Sequence, residues 1–145
     1  MTEADIVYLA ANLRQADVDE VVASGYDDMA EAIRVSVEAS THSAVVTCDG
    51  VPAAVLGLVP VSLLAGIGAP WMLGTDVVTR QQRALMHLTG RYLRTMLKAY
   101  PTLVNYVHAR NTVAIRWLRR VGFEIGPAEP YGPRGELFRI FTMKV

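Results

Sequence analysis

The stretch NYVHARNTVAIRWLRRVGFEI, residues 105–125, constrains the fold of this 145-residue chain more than any other segment. It predicts a strand, a helix over residues 111–121 and a second strand. The apolar residues of the helix recur every three or four positions, so they share one face. Asn111 can cap the N-terminus of this helix, and Gly122 can supply the left-handed residue that ends it. A helix enclosed by two strands is typical of α/β proteins.

The rest of the chain extends this pattern. The alternation in residues 5–13 predicts a first strand, and residues 16–40 predict one or two short helices. Asp49-Gly50 then predicts the tight turn of a hairpin. Further strands are expected at 71–78, 102–109 and 136–145. A long helix is expected from about Thr79, its cap, to Lys98, with a buried stripe of Leu85, Leu88, Tyr92, Leu93, Met96 and Leu97.

The composition favours one compact domain over residues 1–145. Hydrophobic residues make up 52% of the chain and charged residues 19%, which argues against disorder. The longest apolar region, residues 51–73, contains three prolines and therefore predicts no membrane span. The N-terminus carries acidic residues where a signal peptide needs basic ones, so we expect no secretion signal. The single cysteine, Cys48, cannot form an internal disulfide, which fits a reducing cytoplasm.

The charges are unevenly distributed although the net charge is zero. Residues 1–78 carry eleven Asp and Glu against two Arg, whereas residues 79–145 carry twelve Lys and Arg against three Glu. Such a split suits a polar molecule whose basic half meets phosphate, nucleic acid or the acidic face of another copy. The two halves could equally face each other within the fold. We do not expect a nucleic-acid partner, because no recognition motif is visible.

Asn111-x-x-Ala114-x-x-Trp117-Leu118-x-x-x-Gly122-Phe123 resembles the last conserved motif of the GCN5-related N-acetyltransferase (GNAT) superfamily. The order of predicted elements is also similar to that fold. The resemblance implies a mixed, mostly antiparallel α/β sheet of six to seven strands, flanked by about four helices. Its central pair of parallel strands would splay apart.

Residues 70–143 resemble even more closely the small internal-virion or acetyltransferase-like proteins of T7-like podoviruses. The segments that carry this resemblance are PWMLGT, YPTLVNYVHARN, AIRWLRRVGF and LFRIFTMK. The matching residues are Trp71, Tyr100, Leu103, Asn105, Tyr106, Val107, Asn111, Ile115, Arg116, Leu118, Gly122, Phe138 and Phe141.

The GNAT resemblance also implies where acetyl-CoA would bind. The pantetheine arm would pair with the backbone between the splayed strands, and the diphosphate would sit at the start of the long helix, where free amides favour anions. Asn111 belongs to the motif. On this reading the cofactor-binding residues are Met72, Leu73, Gly74, Thr75, Arg80, Gln82, Arg83 and Asn111.

Two departures from the superfamily pattern argue against catalysis. The family's diphosphate turn, Gln/Arg-x-x-Gly-x-Gly/Ala, uses glycine for close approach of phosphate to backbone. Here the corresponding residues are TRQQRALMHL, and no glycine occurs before Gly90. Leu118 replaces a tyrosine that in many of these enzymes protonates the departing thiolate. Tyr106, His108 or Asp76 could substitute, so the catalytic residue is left open.

We therefore expect a catalytically degenerate phage protein that acts as a virion- or tail-associated structural or assembly component. Its partners would be other phage virion proteins and copies of itself, in the virion or the host cytoplasm. No cofactor is expected on this reading. The alternative is an acetyl-CoA-dependent N-acetyltransferase that modifies a host protein or a small amine. Three histidines and one cysteine show no metal-ligand spacing, so we expect no metal.

Overall fold

The computed structural model describes all residues, 1–145. The chain begins with three helices, α1 Glu3–Asn12, α2 Gln15–Ala23 and α3 Met29–Ala39. Three strands follow, β1 His42–Cys48, β2 Val51–Ser62 and β3 Ile67–Gly74. The remaining elements are α4 Asp76–Arg80, α5 Gln82–Ala99, β4 Thr102–His108, α6 Thr112–Val121, β5 Glu124–Pro130 and β6 Leu137–Lys144.

The six strands form one sheet in the order β1-β2-β3-β4-β6-β5. All neighbouring strands are antiparallel except β3 and β4, which run parallel. The hairpin between β1 and β2 turns at Asp49 and Gly50, whose φ angles of 53° and 77° are left-handed, as the sequence predicted. The expected mixed, mostly antiparallel sheet with one parallel pair is therefore confirmed.

Helices cover both faces of the sheet. Successive side chains of a strand point to opposite faces of the sheet, so residues of β2 pack against the helices on both faces. Val55 packs with Leu9 and Ile33, from α1 and α3. Its neighbour Ala54 packs with Val78 and Leu85, from α4 and α5. Thus α1–α3 cover one face, and α4–α6 cover the other.

The prediction of a first strand over residues 5–13 is wrong, because this segment forms α1. Thr2 and Asp5 form a reciprocal capping box that starts the helix. Ile6 and Leu9, three residues apart, are buried against α3 and the sheet. The apparent alternation came from Val7 and Tyr8, which lie on the exposed side of α1. This helix and the division of the long helix into α4 and α5 give the chain six helices, where about four were expected.

The long helix begins earlier than predicted and is interrupted. Thr75, not Thr79, is the first cap: its hydroxyl accepts a hydrogen bond from the amide of Val77. The backbone leaves the helical region at Gln81 (φ −113°, ψ 37°), which separates α4 from α5. Leu88 was predicted to be buried, but 43% of it is exposed, so the buried stripe of α5 is narrower than expected.

Helix α6 has the predicted ends. Asn111 caps α6 by accepting a hydrogen bond from the amide of Ala114, and Gly122 ends it at φ 111°. Two strands follow this helix, β5 and β6, and they pair with each other. No helix in the chain has both the length and the apolar character needed to cross a membrane.

Candidate functional site

The parallel strands β3 and β4 separate soon after they begin. They pair only at Ile67 with Thr102 and at Gly68 with Leu103. The side-chain amide of Asn105 then bridges the widening gap by donating a hydrogen bond to the carbonyl oxygen of Pro70, at 2.9 Å. Strand β4 continues along β6 instead. The edge of β3 beyond Pro70 therefore faces a gap in the sheet.

A cavity of about 350 Å³ fills this gap and extends between α5 and α6. Apolar side chains form most of its wall, as in many small-molecule sites. They include Met72 of β3, Leu85 and Met86 of α5, and Ala114 and Leu118 of α6. The polar side chains of Arg14, Asp17 and Glu20 enter from α2 and the turn before it. The site is thus a mostly apolar cleft to which α2 and the turn before it contribute charged side chains.

Gly74, the last residue of β3, is hydrogen-bonded to the segment at the start of α2. The amide of Thr75 donates to Ala53 of β2, so the amide and carbonyl of the preceding Gly74 point to the opposite edge, into the gap. There the Gly74 amide donates to Asp17 Oδ2 at 2.9 Å, and its carbonyl accepts from the Arg14 amide at 2.8 Å. The segment before α2 thereby occupies the strand edge at this level.

Met72 retains an open position on the same edge. It lies two residues before Gly74 and two after Pro70, so its backbone groups also point toward β4. No strand lies opposite Met72, because β4 has separated from β3 by this level. Of the strand residues predicted to bind a pantetheine arm, Met72 has the most suitable backbone. Leu73 instead turns its side chain into the core beside Val55.

The segment predicted to hold a diphosphate is helical. Residues 76–80 form α4, where the amides of Val77 and Val78 donate to the hydroxyl and carbonyl of Thr75. Gly74 allows this helix to pack closely, since a Cβ there would lie 2.5 Å from Val78 Cγ2. No glycine lies between Gly74 and Gly90 to bring phosphate near the backbone. This segment does not fit the turn that the superfamily motif requires.

Asp17 is the centre of a buried polar network beside the cleft. Besides the Gly74 amide, its carboxylate accepts hydrogen bonds from Arg14 Nη1 and Asn111 Nδ2, both at 3.2 Å. Burial raises the pKa of Asp17, and the charge of Arg14 and the hydrogen bonds from Gly74 and Asn111 oppose that rise. Three donors hold this carboxylate within the fold.

Glu20 lies one helical turn after Asp17, on the same side of α2. Its Oε1 accepts a hydrogen bond from the backbone amide of His108, at 2.7 Å. Burial of the carboxyl group raises the pKa of Glu20 to about 7, against the smaller opposing effect of the His108 bond. The imidazole of His108 is buried, and its Nε2 lies 3.0 Å from Glu136. Glu20 is thus a carboxyl group that titrates near neutrality.

The structure separates the residues predicted to bind acetyl-CoA. Met72, Leu73, Gln82 and Asn111 line the cleft, and Gln82 is the first residue of α5. Thr75 is buried and bonded to Ala53, and the side chain of Asn111 is bonded to α6 and Asp17. Arg80 and Arg83 are exposed and lie outside the cleft wall.

The candidates for a catalytic acid are likewise dispersed. Tyr106 borders the cleft, but its ring stacks on Tyr131 with centroids 3.7 Å apart. The backbone amide of His108 is hydrogen-bonded to Glu20, and Asp76 is exposed on α4. Leu118 lines the cleft at the motif position where many of the enzymes have tyrosine. No three side chains of His, Cys, Asp or Glu are placed to hold a metal ion.

Arg14, Asp17 and Glu20 were not among the site residues predicted from the sequence. One signal was available for Asp17. It lies four residues before Val21, so a carboxylate falls on the stripe that the valines predict to be buried. A charged residue in such a position needs a buried partner. The partners, Gly74 and Asn111, are 57 and 94 residues away, so the sequence pattern alone could not identify them.

Comparison with known proteins gives two results. Residues 59–126 match the family model described as "Bacteriophage T7, probable scaffold protein Gp13". This match spans β3, α4, α5, β4 and α6, most of the wall of the cleft, but just under half of the chain. No curated protein matches the sequence.

Solved structures match nearly the whole chain at low identity. The protein smu.2055 from Streptococcus mutans superposes with a TM-score of 0.70 at 15% identity, covering 99% of this chain and 96% of its own. A ribosomal-protein-alanine N-acetyltransferase from Brucella melitensis gives 0.67 at 14%, covering 100% and 97%.

A third structure carries the superfamily name. A "probable acetyltransferases (GNAT family)" structure from Chromobacterium violaceum gives a TM-score of 0.71 at 17% identity, covering 97% of this chain and 76% of its own. Such identities show the fold and leave activity open. The chain has the fold of the GNAT acetyltransferases.

Proposed function

We propose that this protein is a bacteriophage assembly component, built on a GNAT fold that no longer serves acetyl transfer. It would act in the virion or its tail, or in the host cytoplasm during particle maturation, with other virion proteins as partners. The match of residues 59–126 to a family described as a probable phage scaffold protein supports this role. The matched region includes the segment in which the motif for coenzyme binding is altered.

The single structural observation that carries the proposal is the bonding of Gly74 to Asp17 and Arg14. In a coenzyme site, the edge of the splayed strand must be free to receive the pantetheine amides. Here the chain's own N-terminal segment takes one of those positions. The adjacent helix α4 replaces the glycine turn that a diphosphate needs. On this proposal, the cleft has lost the backbone contacts that the coenzyme would need.

The direct test of the assembly role is mass spectrometry of purified particles of the phage that encodes this chain. We expect the protein at several copies per particle or in an assembly intermediate. Abundant protein in infected cells that is absent from both fractions would contradict the role. Deletion of the coding sequence should then reduce the yield of complete particles.

An acetyl-CoA-dependent N-acyltransferase acting on a host protein or small amine is the second candidate. The open cavity of about 350 Å³ and the free edge of Met72 favour it. Glu20 also favours it, since a carboxyl group with a pKa of about 7 is suited to accept a proton from an amine. Arg80, Gln82 and Arg83 would then hold the phosphates from the side of α4 and α5.

Calorimetric titration with acetyl-CoA separates the two candidates. The assembly proposal predicts no heat of binding at millimolar acetyl-CoA. Saturable binding would support the acyltransferase, provided that Ala114→Leu abolishes it. Ala114 lines the cleft on α6, so a larger side chain fills the space between the strands. Ala39, the exposed last residue of α3, does not line the cleft, so Ala39→Leu is a matched control.

A further inference from the structure

The two faces of the sheet carry opposite charge. Residues 1–40, which form α1–α3 on one face, contain nine Asp and Glu against two Arg. Helices α5 and α6, on the other face, contain seven Arg and Lys and no acidic residue. The charge split seen in the sequence therefore becomes a split across the thickness of the molecule.

The charges of the two faces are not neutralised within the chain. The only ion pair that joins the two halves of the sequence links Arg134 Nη2 to Asp27, at 3.0 Å. We call the seven exposed and unpaired cations of α5 and α6 the basic face: Arg83, Arg91, Arg94, Lys98, Arg116, Arg119 and Arg120. The alternative that the halves face each other within the fold is thus not realised.

The opposite surface has the complementary sign. We call its exposed carboxylates the acidic face: Glu3, Asp19, Asp28, Glu31 and Glu38, on or at the start of α1–α3. Among them only Glu3 is paired, with Arg34. The buried Asp17 and the half-buried Glu20 are hydrogen-bonded to β3 and β4 and are not counted in this surface.

Each face also exposes apolar side chains among its charges. On the acidic side, Val7 and Tyr8 of α1 are 55% and 40% exposed, and Val35 of α3 is 40% exposed. Val35 lies between Glu31 and Glu38 on the same helix. On the basic side, Leu88 of α5 is exposed near Arg91. An apolar centre with a charged rim is the usual anatomy of a protein interface.

We propose that the acidic face of one copy binds the basic face of the next. The two faces lie on opposite sides of one sheet, so each copy can bind two neighbours at once. A contact between different surfaces of identical copies is heterologous, and it produces a ring if the rotation closes or a filament if it does not. This inference identifies a partner for the proposed assembly role and rests on that role for its biological purpose.

A second copy explains the surface better than a nucleic acid does. A nucleic-acid partner would account for the basic face alone, and the acidic residues of the same chain would oppose its approach. Self-association uses both faces and accounts for a net charge of zero. The attraction between exposed charges should be strong at low salt and weak in 1 M salt, where the Debye length is about 3 Å.

Sedimentation velocity of the full chain tests the proposal. At about 20 mM salt, with a Debye length on the order of 20–30 Å, the average mass should exceed that of a dimer and rise with concentration. At 1 M salt it should fall to the monomer mass. Arg91→Glu with Arg94→Glu should leave a monomer at low salt, as should Glu31→Lys with Glu38→Lys. In the chain carrying all four substitutions, the altered residues of the two faces again have opposite charges, so it should associate again.

Arg110→Glu with Lys144→Glu is the matched control. Both residues are exposed, lie outside α5 and α6, and change the net charge as much as the Arg91 and Arg94 pair. This control should associate like the natural chain. Each variant should have the circular dichroism spectrum of the natural chain. This measurement excludes unfolding as the reason for a loss of association.

Three results would contradict the proposed association between copies. The first is a monomer at low salt up to several hundred micromolar. The second is association that salt does not change, and the third is a fourfold variant that stays monomeric while folded. A monomer that binds a 30-base-pair duplex through Arg91 and Arg94 would assign the basic face to nucleic acid instead. If the copies do not associate but the protein is still found in particles, the association between copies is wrong and the assembly role stands.

Discussion

The carboxylate of Asp17 accepts a hydrogen bond from the backbone amide of Gly74 across 57 residues of sequence, at 2.9 Å. This bond joins the start of α2 to the end of β3, where the two parallel strands have separated. It fixes the N-terminal helices to the sheet. It also occupies a backbone group on the edge of the cleft, so one contact stabilises the fold and restricts what the cleft can bind.

Replacing Asp17 with alanine should destabilise the protein by about 3 kcal/mol, because it leaves the partly buried Arg14 and the buried Gly74 amide without their acceptor. Urea unfolding followed by circular dichroism measures this change. Asp19→Ala is the control: Asp19 is exposed on the same helix and bonds only to Gln15, so its loss should cost no more than about 0.5 kcal/mol. Equal costs for both variants would contradict the role given to Asp17.

Glu20 should make the protein less stable as the pH rises. Its pKa is about 7 in the folded chain and 4.5 as the ordinary value, so the folded state holds the proton more tightly. The stabilisation is complete below pH 4.5 and is lost as the pH rises through 7. Between pH 5 and pH 7.5 the loss should be about 2 kcal/mol relative to Glu20→Gln, which cannot titrate there. Parallel pH profiles of the two proteins would show that Glu20 does not titrate as described.

Two glycine substitutions should act in opposite directions. Gly74→Ala places a Cβ 2.5 Å from Val78 Cγ2, so α4 must move, at a cost of about 1–3 kcal/mol. Gly90→Ala meets no atom nearer than 3.9 Å within α5, and alanine is the better helix former, so it should stabilise by about 0.5–1 kcal/mol. Thermal unfolding of both variants measures the difference. A stabilising Gly74→Ala would mean that α4 does not pack as described.

The two roles of Asn111 can be separated by two substitutions. Asn111→Ser keeps an oxygen that can cap α6 but loses the amide that binds Asp17, whereas Asn111→Ala loses both. We expect Asn111→Ala to cost about 1 kcal/mol more than Asn111→Ser, the usual value of an N-cap. Chemical unfolding of the two proteins gives the comparison. Identical stabilities would show that the Asn111 side chain contributes little as a cap.

The sequence determined the local structure wherever one short segment contains the whole cause. Asn111, the apolar stripe of α6 and Gly122 define that helix within twelve residues, and Asp49-Gly50 defines the hairpin turn. The spacing of the Asn111 motif also identified the superfamily whose fold the chain has. Residues 5–13 show the limit of such patterns: the segment alternates, yet Thr2 and Asp5 cap it as a helix and α3 covers its apolar side.

Only the tertiary structure decided what surrounds the cleft. The buried network of Asp17, Glu20 and Asn111 depends on contacts across 57 to 97 residues, which no local period encodes. The same holds for the charges. The sequence contained an acidic half and a basic half, but it could not say whether they meet. The sheet separates them, because α1–α3 and α5–α6 bury their apolar stripes on opposite faces and leave their charged sides to face outward.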